Sequence, residues 1–185
     1  MRIGIIIGSI RPNRNGLAVA QWVHEHASRR SSAQYELVDI ADYNLPLLDE
    51  PVPPSMGPPT KEHSKRWAAK IASFDGYVFV TPEYNHGPPA SLKNAMDFLF
   101  KEWCNKSCGF VGYGGVGAAR SIEMLRAVCS NLELADVRAA VSLLLAHDFE
   151  KFSIFKPQAH QEKTLAQVLD QVEAWAGALK PLRGG

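Results

Sequence analysis

Ile3-Gly4-Ile5-Ile6-Ile7-Gly8-Ser9-Ile10-Arg11-Pro12-Asn13-Arg14-Asn15-Gly16-Leu17 is the stretch whose reading decides the fold. Ile3 to Ile7 is a short β-branched run without polar alternation, the pattern of a strand buried on both faces. Leu17 to Ala27 then carries Val19, Ala20, Val23 and Ala27 at helical spacing. A doubly buried strand followed at once by a helix begins a parallel-sheet unit. The turn from Gly8 to Leu17 then lies outside the carboxyl end of the strand, where open α/β sheets bind ligands.

Outward from that unit the pattern repeats. Tyr35 to Ile40 is a second strand candidate. Pro46 to Pro59 contains six prolines and is a loop, because neither ladder nor helix tolerates them so placed. Thr60 is a candidate cap for a helix with Ser64, Trp67 and Ile71 on one face. Asp75-Gly76 turns the chain into the strand Tyr77 to Val80, and Pro88-Pro89 opens a helix with Leu92, Ala95, Met96 and Leu99 aligned. A fourth strand holds Gly109 to Val111; Ala118, Ile122, Leu125, Cys129 and Leu132 mark the next helix. Val137 to Leu144 is a fifth strand, and Leu165, Leu169, Val172, Ala176 and Leu179 form the last helical stripe. The order βαβαβαβαβα predicts an α/β fold: a five-stranded parallel sheet with helices on both faces, as one domain over 1–185.

Composition narrows the function. Twenty basic residues balance nineteen acidic ones, so nothing indicates nucleic acid or an anionic membrane surface as partner. No apolar run approaches the roughly 20 residues of a membrane span, and Ile3 to Ile7 is too short for a signal-peptide core. Three cysteines, Cys104, Cys108 and Cys129, are too few and odd in number for a disulfide framework, which points to a reducing, cytoplasmic setting. Cys104 and Cys108 lack the second pair a zinc site needs. His24 and His26 fall on different helix faces, and Asp97 and Lys101 have the spacing of a solvated pair.

The first loop suits an anion. A helix N-terminus offers unpaired N–H groups and a positive dipole end; Ser9 adds a hydroxyl, and Arg11 and Arg14 add guanidinium forks. The alternative is that Asn13 or Asn15 caps the helix and both arginines are solvated. The loop lacks both the G-x-x-x-x-G-K-[ST] and the G-x-G-x-x-G pattern, which leaves a phosphomonoester. Thr81-Pro82-Glu83-Tyr84-Asn85-His86-Gly87-Pro88-Pro89 makes a stiff turn suited to a flat heterocycle, or else a plain connector. In a sheet of order 2-1-3-4-5 this loop faces the first. Gly112-Tyr113-Gly114-Gly115-Val116-Gly117 satisfies G-x-G-x-x-G, but it follows the fourth strand and no acidic residue ends the fifth, so a dinucleotide fingerprint is rejected. Its glycines are read as close backbone approach to a ligand.

Together, G-S-I-R-P-N-R at 8–14, T-P-E-Y-N at 81–85 with G-P-P-A-S-L-K-N-A-M-D at 87–97, and the glycine-rich 112–117 loop resemble the NADPH-dependent FMN reductase family, flavodoxin-like quinone, chromate and azo reductases. The resemblance implies the flavodoxin-like three-layer fold, non-covalent FMN, NADPH or NADH as donor, and a quinone, flavin, azo compound or metal ion as acceptor. It implies the FMN phosphate at Ser9, Arg11, Arg14, Gly16 and Leu17, and the isoalloxazine at Pro82, Glu83, Tyr84 and Asn85 with its far edge at Gly112, Gly114 and Gly115. It assigns no catalytic side chain and no metal, since the cofactor carries the hydride chemistry; His86 and Tyr113 are left open as substrate contacts. A homodimer or dimer of dimers is implied, with the third helix and the proline-rich loop near the interface. The competing reading is a flavodoxin-like electron carrier, for which the near-neutral charge is unusual.

Overall fold

The computed structural model describes residues 1–183. Five strands, β1 (Arg2–Ile7), β2 (Gln34–Asp39), β3 (Gly76–Pro82), β4 (Lys106–Gly114) and β5 (Leu134–Leu144), form one parallel sheet of order β2-β1-β3-β4-β5. The helices are α1 (Gly16–Ala27), α2 (Glu62–Ala72), α3 (Ala90–Asp97), α4 (Ala119–Asn131) and α5 (His160–Leu179).

Strand periodicity divides the core into two layers. Ile3, Ile5 and Ile7 of β1 pack with Val78 and Val80 of β3 against α1 and α5. Ile6, Phe79 and Phe110 face the other way, against α2, α3 and α4. Gly4 leaves room on that second face for the Phe74 ring, which a Cβ would approach to 3.1 Å. The second layer is the more aromatic, and its buried indoles are satisfied: Trp67 Nε1 donates to Ala95 O at 2.8 Å and Trp103 Nε1 to Met96 O at 3.1 Å.

Several local expectations change. Thr60 does not cap α2; Lys61 holds the cap position, and the Thr60 amide and hydroxyl both donate to the Glu50 carboxylate. α3 ends at Asp97, so Lys101 lies off the helix and Asp97 pairs instead with Lys93 at 2.6 Å. Leu99 is past the helix end but still buried. β5 starts at Leu134 and therefore contains Asp136, and β4 runs on to Gly114, so half of the expected glycine loop is strand. A small antiparallel hairpin, β6 (Phe149–Glu150) with β7 (Ile154–Phe155), was not foreseen. Residues 184 and 185 of the expected single domain lie outside the described ones. Among the described residues no helix is long and apolar enough to cross a membrane, and no group of three His, Cys, Asp or Glu is arranged to hold a metal ion.

Candidate functional site

Three β–α loops meet at the carboxyl edge of β1, β3 and β4, and three contacts join them pairwise. Loop one touches loop three through Ser9 Oγ and Tyr84 Oη, which share a hydrogen bond of 2.8 Å, with the Arg11 guanidinium 5.7 Å from the Tyr84 ring centroid. Loop one touches β4 where the Tyr113 hydroxyl lies against Gly16: a Cβ on Gly16 would stand 2.7 Å from that oxygen. Loop three touches the end of β4 where Gly114 faces Glu83.

Each loop has a local cause. Gly8 is held in the sheet by its amide on Val80 O (2.9 Å) and by Ser91 Oγ on its carbonyl (2.6 Å). Buried Ser9 accepts the Arg11 amide at 3.2 Å, which curls the chain toward α1. Asn13 takes a φ of +55°, a conformation that asparagine tolerates better than most. In loop three, Tyr84 and Gly87 exchange backbone bonds of 2.9 and 3.1 Å around Asn85 and His86, at φ +50° and +69°. That is a two-residue hairpin turn with both central residues left-handed. The turn adds its two hydrogen bonds to the constraint of the prolines and leaves Asn85 and His86 exposed.

The residues read from the sequence fall into distinct environments. Ser9, Arg11 and Tyr84 line a cavity of about 750 Å³ with Ile40, Leu45 and Asn94. Arg14 is turned toward Asp39, whose other oxygen accepts the Ala41 amide at 3.0 Å. Gly16 and Leu17 begin α1. Its first turn has no acidic residue and no side-chain cap, and no carboxylate pairs with Arg11 among the described residues. Pro82 ends β3 opposite Tyr113. The Glu83 side chain, 6% exposed, is committed to Arg120, whose amide it also accepts at 3.1 Å. Desolvation works to raise its pKa, but the bonds from the Arg120 guanidinium and amide prevail and hold it below the usual carboxylate range.

In the glycine-rich loop after β4, Gly112 has a structural reason of its own: a Cβ there would lie 2.5 Å from Gly117 O and 2.9 Å from the Ala118 Cβ, a close approach of the chain to itself. Gly114 has ordinary contact distances and Gly115 open space. The sequence reading also missed Asp39, Asn94 and Arg120. A basic residue in the first turn of a helix is unfavourable for the dipole, and that was a legible signal that Arg120 has an acidic partner. Asn94 donates to Pro46 O at 2.7 Å and accepts from Leu48 N at 3.0 Å, fastening the proline-rich loop as a wall of the cavity.

The model of the NADPH-dependent FMN reductase family matches residues 1–148, which include all three loops. The chain belongs to that family. An NAD(P)H-dependent FMN reductase of Schizosaccharomyces pombe is 39% identical over 169 residues, covering 90% of this chain and 84% of that one. Another, from a Nectria species, is 48% identical over 130 residues, 67% of this chain; the alignment spans 65% of that relative's length. In three dimensions the chain superposes on the flavoenzyme FerB, an NAD(P)H:(acceptor) oxidoreductase from Paracoccus denitrificans. The TM-score is 0.75 with 19% identity, and coverage is 96% of this chain and 97% of FerB. The flavodoxin-like fold expected from the sequence is thereby established.

The residues of this family member suit a flavin phosphate. Two buried polar atoms at the loop lack a partner among the described residues, Arg14 Nε and Tyr113 Oη. The uncapped first turn of α1 supplies donors directed outward from the helix end. Burial pushes the Tyr113 phenol well up, so it stays a neutral donor at any physiological pH.

Proposed function

We propose that this member of the FMN reductase family binds FMN non-covalently across the three loops and uses NADPH or NADH to reduce a small-molecule acceptor. The observation that carries this is the uncapped α1 N-terminus beside the unpaired Arg11, at the strand-order switch point of a family-matched chain. FMN, when bound, supplies the hydride chemistry by accepting two electrons from the nucleotide and releasing them to the acceptor. The protein's part is to bind and orient. Arg11, the Ser9 hydroxyl and the amides of Gly16 and Leu17 would take the phosphate, with Arg14 behind them, oriented by Asp39. The backbone from Pro82 to Asn85 and the open edge at Gly114 and Gly115 would take the ring.

The cavity beside Tyr84 favours a compact planar acceptor, a quinone, flavin or azo compound, over a hydrated metal ion, because Ile40 and Leu45 form part of its wall. A homodimer or dimer of dimers accords with exposed Leu47 and Met56 on the proline-rich loop, and the three free thiols accord with a cytoplasmic address. Purified protein is expected to be yellow or to take up FMN, and NADPH or NADH is expected to bleach it anaerobically. Bound flavin that neither nucleotide reduces would favour an electron carrier. Arg11→Ala removes a charge-assisted bond of about 1.5–3 kcal/mol, so the FMN Kd, read by fluorescence quenching, should rise roughly tenfold to hundredfold. An unchanged Kd would put the phosphate elsewhere.

A further inference from the structure

The family match ends at residue 148, and the β6–β7 hairpin that follows reaches back to the phosphate loop. The base of the hairpin is firmly held. Asp148, 1% exposed, accepts the amides of Leu144 at 2.8 Å and Gln158 at 2.9 Å. Phe149 packs on Phe155 and on Tyr113, whose hydroxyl abuts Gly16. The tip is strained: Lys151 and Phe152, the first two of the three residues that join β6 to β7, stand at φ +51° and +59°, where left-handed turn positions ordinarily carry Asn or Gly. Such strain persists only where the surroundings over-determine it. Here the strained turn directs the Phe152 carbonyl at the phosphate loop, where it accepts from Asn15 Nδ2 at 3.0 Å.

Asn15 occupies the N-cap position of α1, and an asparagine there ordinarily accepts a bond from one of the first helical amides. It makes none. Its side-chain amide is committed to the hairpin, and its backbone sits at φ −66°, ψ −19°, away from the extended conformation of a self-capping residue.

We propose that the hairpin tip is a positioning element for the cofactor phosphate: the Phe152 carbonyl holds Asn15 off the end of α1, so that the amides of Gly16 to Ala18 stay open to the phosphate instead of being capped from within. This rests on the flavin reading given above. It makes Asn15 an internal competitor of the phosphate and the hairpin the device that disarms it.

Two variants displace the carbonyl. Phe152→Pro cannot adopt the left-handed φ, and replacing residues 150–154 by Gly-Gly removes the tip altogether, so misfolding of one leaves the other as a test. In either, the Kd for FMN and for inorganic phosphate on the flavin-free protein should rise about tenfold, the scale of one N-cap interaction. Hydrogen exchange at the amides of residues 16–18 of the flavin-free variant should slow as Asn15 caps them. In an Asn15→Ala background, which has no cap to offer, the same hairpin changes should leave the Kd within about twofold of Asn15→Ala alone. Equal losses in both backgrounds would overturn the proposal, since the hairpin would then act by direct contact or general stability. An unchanged Kd in the single variants would overturn it too. A parent protein that binds neither FMN nor phosphate would overturn the flavin reading first and this one with it.

Discussion

At Gly16 the first loop and the fourth strand compete for the same space. A Cβ would meet Tyr113 Oη at 2.7 Å, while the next atoms of the ring stand at 3.5 Å and beyond. On intrinsic propensity Gly16→Ala should strengthen α1 by up to about 1 kcal/mol, but the clash with the hydroxyl reverses the sign. We expect Gly16→Ala to lower stability by about 1 kcal/mol and to weaken FMN binding by displacing the loop exit. Tyr113→Phe removes only the oxygen, so the double variant should regain the stability and gain the helix propensity. Thermal denaturation of the four chains of that cycle measures it; simple additivity of the two changes would refute the steric coupling. Residue-scale legibility was uneven for the same reason. Ser9, Arg11 and Tyr84 could be singled out because their residue types stand out within their own loops, although the contacts that join Ser9 and Arg11 to Tyr84 cross between two loops. The commitments of Arg14 to Asp39 and of Glu83 to Arg120 span 25 and 37 residues and follow only from the strand order.

Among the elements, the proline-rich loop depends on one carboxylate. Glu50 accepts the amides of Thr60 and Lys61, each at 3.0 Å, and the Thr60 hydroxyl at 2.6 Å, so it closes the loop just ahead of α2. Desolvation would raise its pKa, but the bonds from Thr60 and Lys61 prevail and bring it down to about 2. A depressed carboxylate stabilises the fold above its unfolded value of 4.5, and that contribution is lost as the pH falls from 4.5 through 2. Glu50→Gln should therefore cost about 1 kcal/mol at neutral pH, the scale of a net hydrogen bond. It should also speed thermolysin cleavage between Pro51 and Pro59 several-fold, and remove this part of the acid dependence. Cleavage at the parental rate would mean that Asn94 alone holds the loop. The sequence made this element recognisable as a loop through its prolines, and α2 through Ser64, Trp67 and Ile71, yet it named Thr60 as the cap. A capping hydroxyl and a hydroxyl that serves a distant carboxylate look the same in one dimension. The β6–β7 hairpin escaped for a related reason, since its connection Lys151-Phe152-Ser153 holds no glycine at the left-handed positions by which a short hairpin is read.

On the scale of the whole molecule the two edges of the sheet have opposite characters. The carboxyl edge leaves donors free; the amino edge closes on itself. There Lys106, at 4% exposure, donates to Ile71 O at 3.0 Å, Ala72 O at 3.3 Å and Tyr77 Oη at 3.0 Å. Asp75 takes the Arg2 amide and the Arg183 guanidinium. Burial, with Arg183 close by, pushes the Lys106 pKa down to about 8. Between about pH 8 and its unfolded value of 10.5 the unfolded chain binds the extra proton, so this group makes stability rise with pH. The full difference corresponds to a ceiling of about 3 kcal/mol, which the three oxygens around the ammonium reduce. Above about pH 9 the net sign reverses. The Cys104 and Cys108 thiols, and then Tyr35, Tyr43, Tyr77 and Tyr113, are all raised, chiefly by burial, so they keep their protons in the folded state while the unfolded chain ionises them. Below pH 4.5 the depressed Glu36, Glu50, Glu83 and Glu173 remove stability as they protonate. The flavin-free protein should thus be most stable on an alkaline ridge near pH 9. Urea unfolding at pH 7, 8, 9, 10 and 11 would trace it. Lys106→Met should flatten the rise on the ridge's acid side while leaving the fall above pH 9 in place. A parental profile level from pH 7 to 9 would show that the carbonyls of Ile71 and Ala72 keep Lys106 charged in the folded chain.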